Sequence, residues 1–417
     1  MKVRGVFTLF LLFVSCVALA DGADTLRHWG ASVSVSPGAV IVGDKYQDRW
    51  QKGRHNLSVE AAVSRFSLPS DSDAVSADYG YPSLSASVRM AFNHGVTMHK
   101  SPDPAWGLAE EVDYDTKMGN TVSFYATFTR PLYRDRRWML DYALSMGFGY
   151  SHHKYDPHRA IDNELIGARW LIHFGMGAHA TYRVAPQWGV RAGVEFWHLS
   201  NGALDRPNKG ANFIGPALAV VYDPCWQSVT TTHSPDRPTF RPFLYCDLTL
   251  GAGAKSLLEE WNITQYETPK GEPLYRTDKF SRFMAYSAQA DLMCRYARRW
   301  ASGLGIDVFY GSYASRVERI DEKRGVSVPH SPWSLGLAVK HQVYYHRLSL
   351  AMSVGYYLYR EMGFHARIIE KPYYERIGLR YAFPRLGGLA VGASVKAHLT
   401  KADFTELSLS MPIRLTK

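Results

Sequence analysis

Trp138 to Tyr150 reads WMLDYALSMGFGY. The even positions are Trp138, Leu140, Tyr142, Leu144, Met146, Phe148 and Tyr150, all large and mostly apolar. Between them lie Met139, Asp141, Ala143, Ser145, Gly147 and Gly149, which are mostly small or polar. Successive side chains of a strand point to opposite faces, so this run predicts a strand with one apolar and one small or polar face. It is long enough to cross a bilayer as a tilted strand, which takes ~9–11 residues. The same alternation returns at Leu84, Ala86, Val88, Met90 and Phe92, at Leu304 to Tyr310, at Trp333 to Val339 and at Leu348 to Tyr356. A soluble sandwich would alternate too. Small residues on the second face and aromatic residues at the strand ends favour an antiparallel outer-membrane β-barrel.

Working outward, polar turns such as Arg134-Asp135-Arg136-Arg137 and Ala185-Pro186-Gln187 separate these runs, and longer connections such as Lys154 to Asp162 and Glu259 to Lys279 suit extracellular loops. About eight candidate strands precede Asp223 and about eight follow Arg241, a usual size for small outer-membrane barrels. The two halves also resemble each other. Tyr182 to Ser200 ends in His-Leu-Ser, and Tyr381 to Thr400 ends in His-Leu-Thr. A degenerate duplication explains this. Two eight-stranded barrels are the favoured arrangement, and one larger barrel also fits. Residues 1–20 carry Lys2 and Arg4, a short apolar core and Ala18-Leu19-Ala20, the pattern of a cleaved secretory signal. The expected organisation is then a first barrel over 21–224, a polar linker over 225–242 and a second barrel-like domain over 243–417.

Composition narrows the function classes. The net charge of +10 is not packed into runs, and no nucleic-acid motif appears, so nucleic acid is not an expected partner. Loop and rim charge facing anionic lipid headgroups accounts for the balance. Cys225, Cys246 and Cys294 would remain after signal removal; three thiols cannot all pair within one chain, and their spacing fits neither a zinc site nor a disulfide framework. Neither a metal nor an organic cofactor is implied.

Glu195 to Gly215 reads EFWHLSNGALDRPNKGANFIG. His198 and Ser200 are two apart and share one face of a strand. Along that strand Trp188, Val190, Ala192, Val194 and Phe196 form the apolar, lipid-facing set, and His198 and Ser200 continue it. A base beside a hydroxyl is the minimum for an activated nucleophile. Reactive polar groups on a lipid-facing row point to an ester of a membrane lipid as substrate. In the second half Leu389, Val391, Ala393, Val395 and Ala397 are apolar, which places His398 and Thr400 on the opposite, lumen face. The second half therefore reads as a structural or binding unit.

The run H-x-S-N-G followed by P-N-x-G-x-N resembles the signature of the lipid A 3-O-deacylase (PagL) family, also called acyloxyacyl hydrolases; here it is His198, Ser200, Asn201, Gly202, Pro207, Asn208, Gly210 and Asn212. Weaker similarity runs from Tyr79 to Asp223, and the second half resembles the longer members of the family. The resemblance implies an outer-membrane esterase in a Gram-negative bacterium that removes an acyl chain from lipid A or a related lipid. By match, Ser200 is the nucleophile and His198 the general base, with Asn208, or Asn201, as the oxyanion donor. The best-known members place a Glu where this chain has Asn212. Asn can orient an imidazole but not carry charge, so Asp205 or Glu164 is a candidate acidic partner, with Glu195 last because of its parity. Partners are then the membrane and its lipid, and a homodimer stays open. A non-catalytic barrel acting as a pore, a lipid-binding protein or an assembly partner is the second reading.

Overall fold

The computed structural model describes residues 28–229, 232, 239–399 and 401–416. The expected signal at 1–20, much of the expected linker and Thr400 lie outside the described residues. Among the described residues, sixteen long antiparallel strands form two closed eight-stranded barrels. The first comprises β1 (Trp29–Val40), β2 (Gln51–Phe66), β3 (Ser83–Met98), β4 (Thr121–Arg134), β5 (Trp138–Ser151), β6 (Trp170–Ala185), β7 (Trp188–Ser200) and β8 (Ala211–Tyr222). It closes where β1 pairs with β8, Ala31 opposite Tyr222 and Val40 opposite Phe213. The second comprises β9 (Phe243–Lys255), β10 (Phe283–Arg295), β11 (Trp300–Gly311), β12 (His330–Tyr345), β13 (Leu348–Met362), β14 (Tyr373–Phe383), β15 (Leu389–His398) and β16 (Lys401–Arg414). It closes between β9 and β16, Tyr245 opposite Arg414. A single larger barrel is thus excluded: each half satisfies its own edges, and closure removes the unpaired strand edges that a bilayer cannot hydrate.

The alternation read from the sequence sorts side chains in or out. On β5 Trp138, Leu140 and Phe148 are exposed, whereas Met139, Asp141, Ala143 and Gly149 are buried. The outward rows are bare apolar surface, such as Leu218 at 54% and Leu407 at 69% exposure, as a lipid-facing wall requires. Among the described residues no helix is long and apolar enough to cross a membrane.

An eight-stranded barrel is just wide enough for side chains or one small ligand, and paired charges cross both lumens beside small cavities. In the first, Arg89 bridges Glu60, at 2.6 Å, and Glu195. His179 links Asp141, at 2.9 Å, to Glu195. In the second, Lys340 holds Asp291, at 3.2 Å, and Asp307, and Arg380 reaches Asp247 at 2.7 Å. His398 points inward, as its parity predicts, and its Nε2 meets the Tyr357 hydroxyl at 2.8 Å. Among the described residues Cys246 and Cys294 form no disulfide.

The end of the first barrel that carries the longer loops is stoppered by an apolar cluster. Val40, Trp50, Val96, Met98, Leu171, Trp197, Leu199 and Phe213 are all buried there. Trp197 stacks on Phe213 with centroids 5.2 Å apart and planes 11° apart. Each buried aromatic or Leu of this kind contributes about 1.5–3 kcal/mol of transfer free energy. Trp197 and Leu199 are 1% exposed; with both driven into this stopper, positions 198 and 200 are forced to the outside.

Candidate active site

The strand register bears directly on the site. β7 and β8 pair without interruption from Trp188↔Tyr222 to Leu199↔Ala211, and His198 stands opposite Asn212. No bulge reverses the parity on that side, so His198 and Ser200 belong to the outward row. The pairing also explains the spacing of the motif. Ten residues of turn, 201–210, return the chain so that the second Asn of P-N-x-G-x-N lands beside the imidazole.

His198 Nδ1 lies 2.7 Å from Asn212 Oδ1. An amide oxygen can only accept, so this contact selects the tautomer with the proton on Nδ1 and leaves the Nε2 lone pair free for proton transfer. Gly210 sits against the ring. A Cβ there would be 2.7 Å from His198 Cε1, and its φ of +79° is a left-handed conformation that suits glycine. Among the described residues no carboxylate pairs with His198. Asn212 alone occupies the position of a third member.

The two acidic candidates are engaged by other partners. Glu164 accepts from the Tyr266 hydroxyl at 3.0 Å and also binds Tyr46 and Lys100. Its contribution to the site is through the backbone, since its carbonyl accepts from Lys209 N at 3.1 Å. Asp205 turns away toward Arg282 at 3.4 Å, and its own side chain accepts from Arg206 N at 2.9 Å. Burial raises the Asp205 carboxyl from its ordinary value, against the Arg206 backbone and the Arg282 charge. Glu195 faces the lumen and is held by Arg89 and His179.

The two amide candidates separate in the same way. Asn201 is 2% exposed and serves the turn: its Nδ2 donates to Pro207 O at 3.4 Å and its Oδ1 accepts from Asp205 N at 3.4 Å. Asn208 Oδ1 accepts from Asn201 N at 2.9 Å, which leaves Asn208 Nδ2 without a hydrogen bond among the described residues. Of the two, Asn208 is the one with a donor to offer an oxyanion.

Ser200 departs from the sequence reading in one respect. It stands on the outward row, yet it is 8% exposed and makes no hydrogen bond to His198. The turn that follows it is bonded to residues of the second barrel. Nothing in the local sequence signals these bonds, because their partners are Ser256 and Thr405. Among the described residues no group of three His, Cys, Asp or Glu side chains gathers as a metal site.

Comparison with known proteins bears on both halves. A family model described as lipid A 3-O-deacylase (PagL) matches residues 80–220. A second, described as the C-terminal domain of acyloxyacyl hydrolase, matches residues 244–414. No curated relative matches the chain. Among solved structures, the crystal structure of the outer membrane enzyme PagL is 15% identical, covering 46% of this chain and 98% of that one with a TM-score of 0.28. The translocator domain of the autotransporter NalP from Neisseria meningitidis is 8% identical, covering 99% and 97%, with a TM-score of 0.20. Family and barrel fold together mark an outer-membrane protein, and the family names denote ester hydrolysis in general. With both matched segments accounted for in order along the sequence, the chain belongs to the PagL lipid A deacylase and acyloxyacyl hydrolase family, in the form that carries the additional C-terminal domain.

Proposed function

We propose that the chain is a serine esterase that removes an ester-linked acyl chain from lipid A or a closely related lipid. The observation that carries this reading is the 2.7 Å contact between His198 Nδ1 and Asn212 Oδ1 on the outward row that also bears Ser200. Ser200 Oγ attacks the ester carbonyl while His198 Nε2 takes its proton. The tetrahedral oxyanion is held by Asn208 Nδ2. Collapse expels the lipid hydroxyl, which regains the proton from His198, and leaves an acyl-Ser200. Water then attacks that ester with His198 again as base, releasing the fatty acid and restoring Ser200. Membership of a family named for lipid A deacylation supports the substrate class. The expected setting is the outer membrane of a Gram-negative bacterium, reached by export on a signal at 1–20. The first barrel domain (21–224) bears the chemistry, followed by the linker (225–242) and the second domain (243–417).

The rival reading as a pore is disfavoured by the charge networks around Arg89 and Lys340 that cross both lumens. Mass spectra of lipid A from cells expressing wild type and Ser200→Ala test the proposal. Wild type should yield a species lighter by one acyl chain, and Ser200→Ala should not. Identical lipid A in both strains would end it.

A further inference from the structure

The turn after Ser200 is held by atoms that the first barrel does not contain. The Thr405 hydroxyl donates to Gly202 O at 2.8 Å. Ser256 donates to Ala203 O through its backbone N–H at 2.8 Å and through its hydroxyl at 3.2 Å. In return the buried Arg206 guanidinium donates to Ser256 O through Nε at 3.2 Å and Nη2 at 2.8 Å. Ser256 directly follows β9, and Thr405 lies near the start of β16, so both come from the seam that closes the second barrel.

Thr405 is chemically out of place unless this contact has a purpose. Its outward row continues as Leu407, Leu409, Met411 and Ile413, all exposed and apolar. A hydroxyl on a lipid-facing row needs an acceptor, and the Gly202 carbonyl is the one it has. The fit is close: a Cβ on Gly202 would come 2.0 Å from Thr405 Oγ1, and Gly202 and Ala203 both have left-handed φ values, +61° and +70°. Below the contact the walls are open. Val194 on the first barrel is 54% exposed and Leu407 on the second 69%, so hydrocarbon reaches both surfaces beneath the turn.

We propose that the C-terminal barrel is a positioning part of the hydrolytic site, fixing the 201–206 turn through Thr405, Ser256 and Arg206 and so placing Asn208 and Ser200 for acyl transfer. This rests on the reading of Ser200 as nucleophile. The link is short. The turn's first residue, Asn201, donates its N–H to Asn208 Oδ1 at 2.9 Å, so any movement of the turn displaces the oxyanion donor. A misplacement of about 1 Å at a reacting centre costs on the order of 100-fold in rate. None of the three residues touches substrate in this scheme; they act through the turn.

The test uses the full-length protein with purified lipid A in mixed micelles, following fatty acid release. Thr405→Val removes the hydroxyl at constant shape, and Arg206→Gln removes the guanidinium fork. The double variant should lose about 10- to 100-fold in kcat with KM within about 2-fold of wild type. Thr405→Ser, which keeps the hydroxyl, should restore the rate that Thr405→Val loses. Heat-modifiable migration in detergent gels reports whether the barrels are folded. If the double variant does not fold, Thr405→Val against Thr405→Ser decides alone. Wild-type kcat in the folded double variant, or equal rates for Val and Ser at 405, overturns the positioning role while leaving the esterase intact. A Ser200→Ala variant as active as wild type, or no release by wild type, overturns the nucleophile and the positioning role together.

Discussion

Replacing Asn212 by Asp puts a carboxylate oxygen where an amide oxygen now lies 2.7 Å from His198 Nδ1. The side chains have the same length, so the contact should survive. In the ground state His198 is neutral and gains little more than a stronger hydrogen bond. In the transition state the ring becomes imidazolium, and the new charge acts on it. At a separation of ~4 Å and an effective dielectric of ~20, the attraction is ~4 kcal/mol. Desolvation of the introduced carboxylate opposes this. Asn212 is half-buried, so roughly half of the gain should remain, ~1.5–3 kcal/mol, or about 10- to 100-fold in kcat. Asn212→Leu removes the acceptor at similar volume. It forfeits a hydrogen bond worth about 0.5–1.5 kcal/mol and frees the ring to adopt the wrong tautomer, so kcat should fall about 10-fold or more. Initial rates of fatty acid release from lipid A micelles measure both. If Asp and Leu shift kcat in the same direction, or Leu leaves it unchanged, Asn212 does not orient a catalytic base.

Three further outcomes are expected. Gly210→Ala places a methyl 2.7 Å from His198 Cε1 at a φ of +79°; it should cost about 1–2 kcal/mol of stability for the left-handed backbone and lower kcat by turning the ring, so unchanged urea unfolding and kcat would show that the glycine is not needed. Leu218→Arg sets a charge on an outward position 54% exposed to the bilayer and should destabilise the barrel by about 2–4 kcal/mol if it lies near the midplane, read from urea titration of folding into vesicles; no change would mean that this row does not face lipid. Arg89→Met leaves the Glu60 and Glu195 carboxylates facing each other in the lumen without their shared cation and should cost about 3–5 kcal/mol. The loss should be largely recovered by adding Glu60→Gln and Glu195→Gln, and a triple variant as unstable as the single one would locate the effect elsewhere.

Much of this was legible along the chain, because a barrel strand encodes its facing residue by residue. The period of two in Trp138–Tyr150 is a direct consequence of backbone geometry, and it gave both the strands and their outward sides. The same parity set His198 and Ser200 apart from Glu195 on one side and from His398 in the second half. The family resemblance put position 212 at the site, and the strand pairing supplies the reason: the turn between β7 and β8 brings Asn212 back opposite His198. Local periodicity could not say whether sixteen strands close once or twice. Closure depends on which edges pair, β1 with β8 and β9 with β16, and those partners are far apart in sequence. Nor could it assign the carboxylates. Glu164 and Asp205 looked available until Tyr46, Tyr266, Lys100 and Arg282 came together around them. The anchoring of the turn after Ser200 was equally out of reach, for the Gly202 carbonyl meets a hydroxyl two hundred residues away, at Thr405. The sequence by itself determined which way each side chain points, because that is a property of neighbouring residues. Only the tertiary structure decided what each side chain meets, because hydrogen-bond partners and burial are set by distance in space.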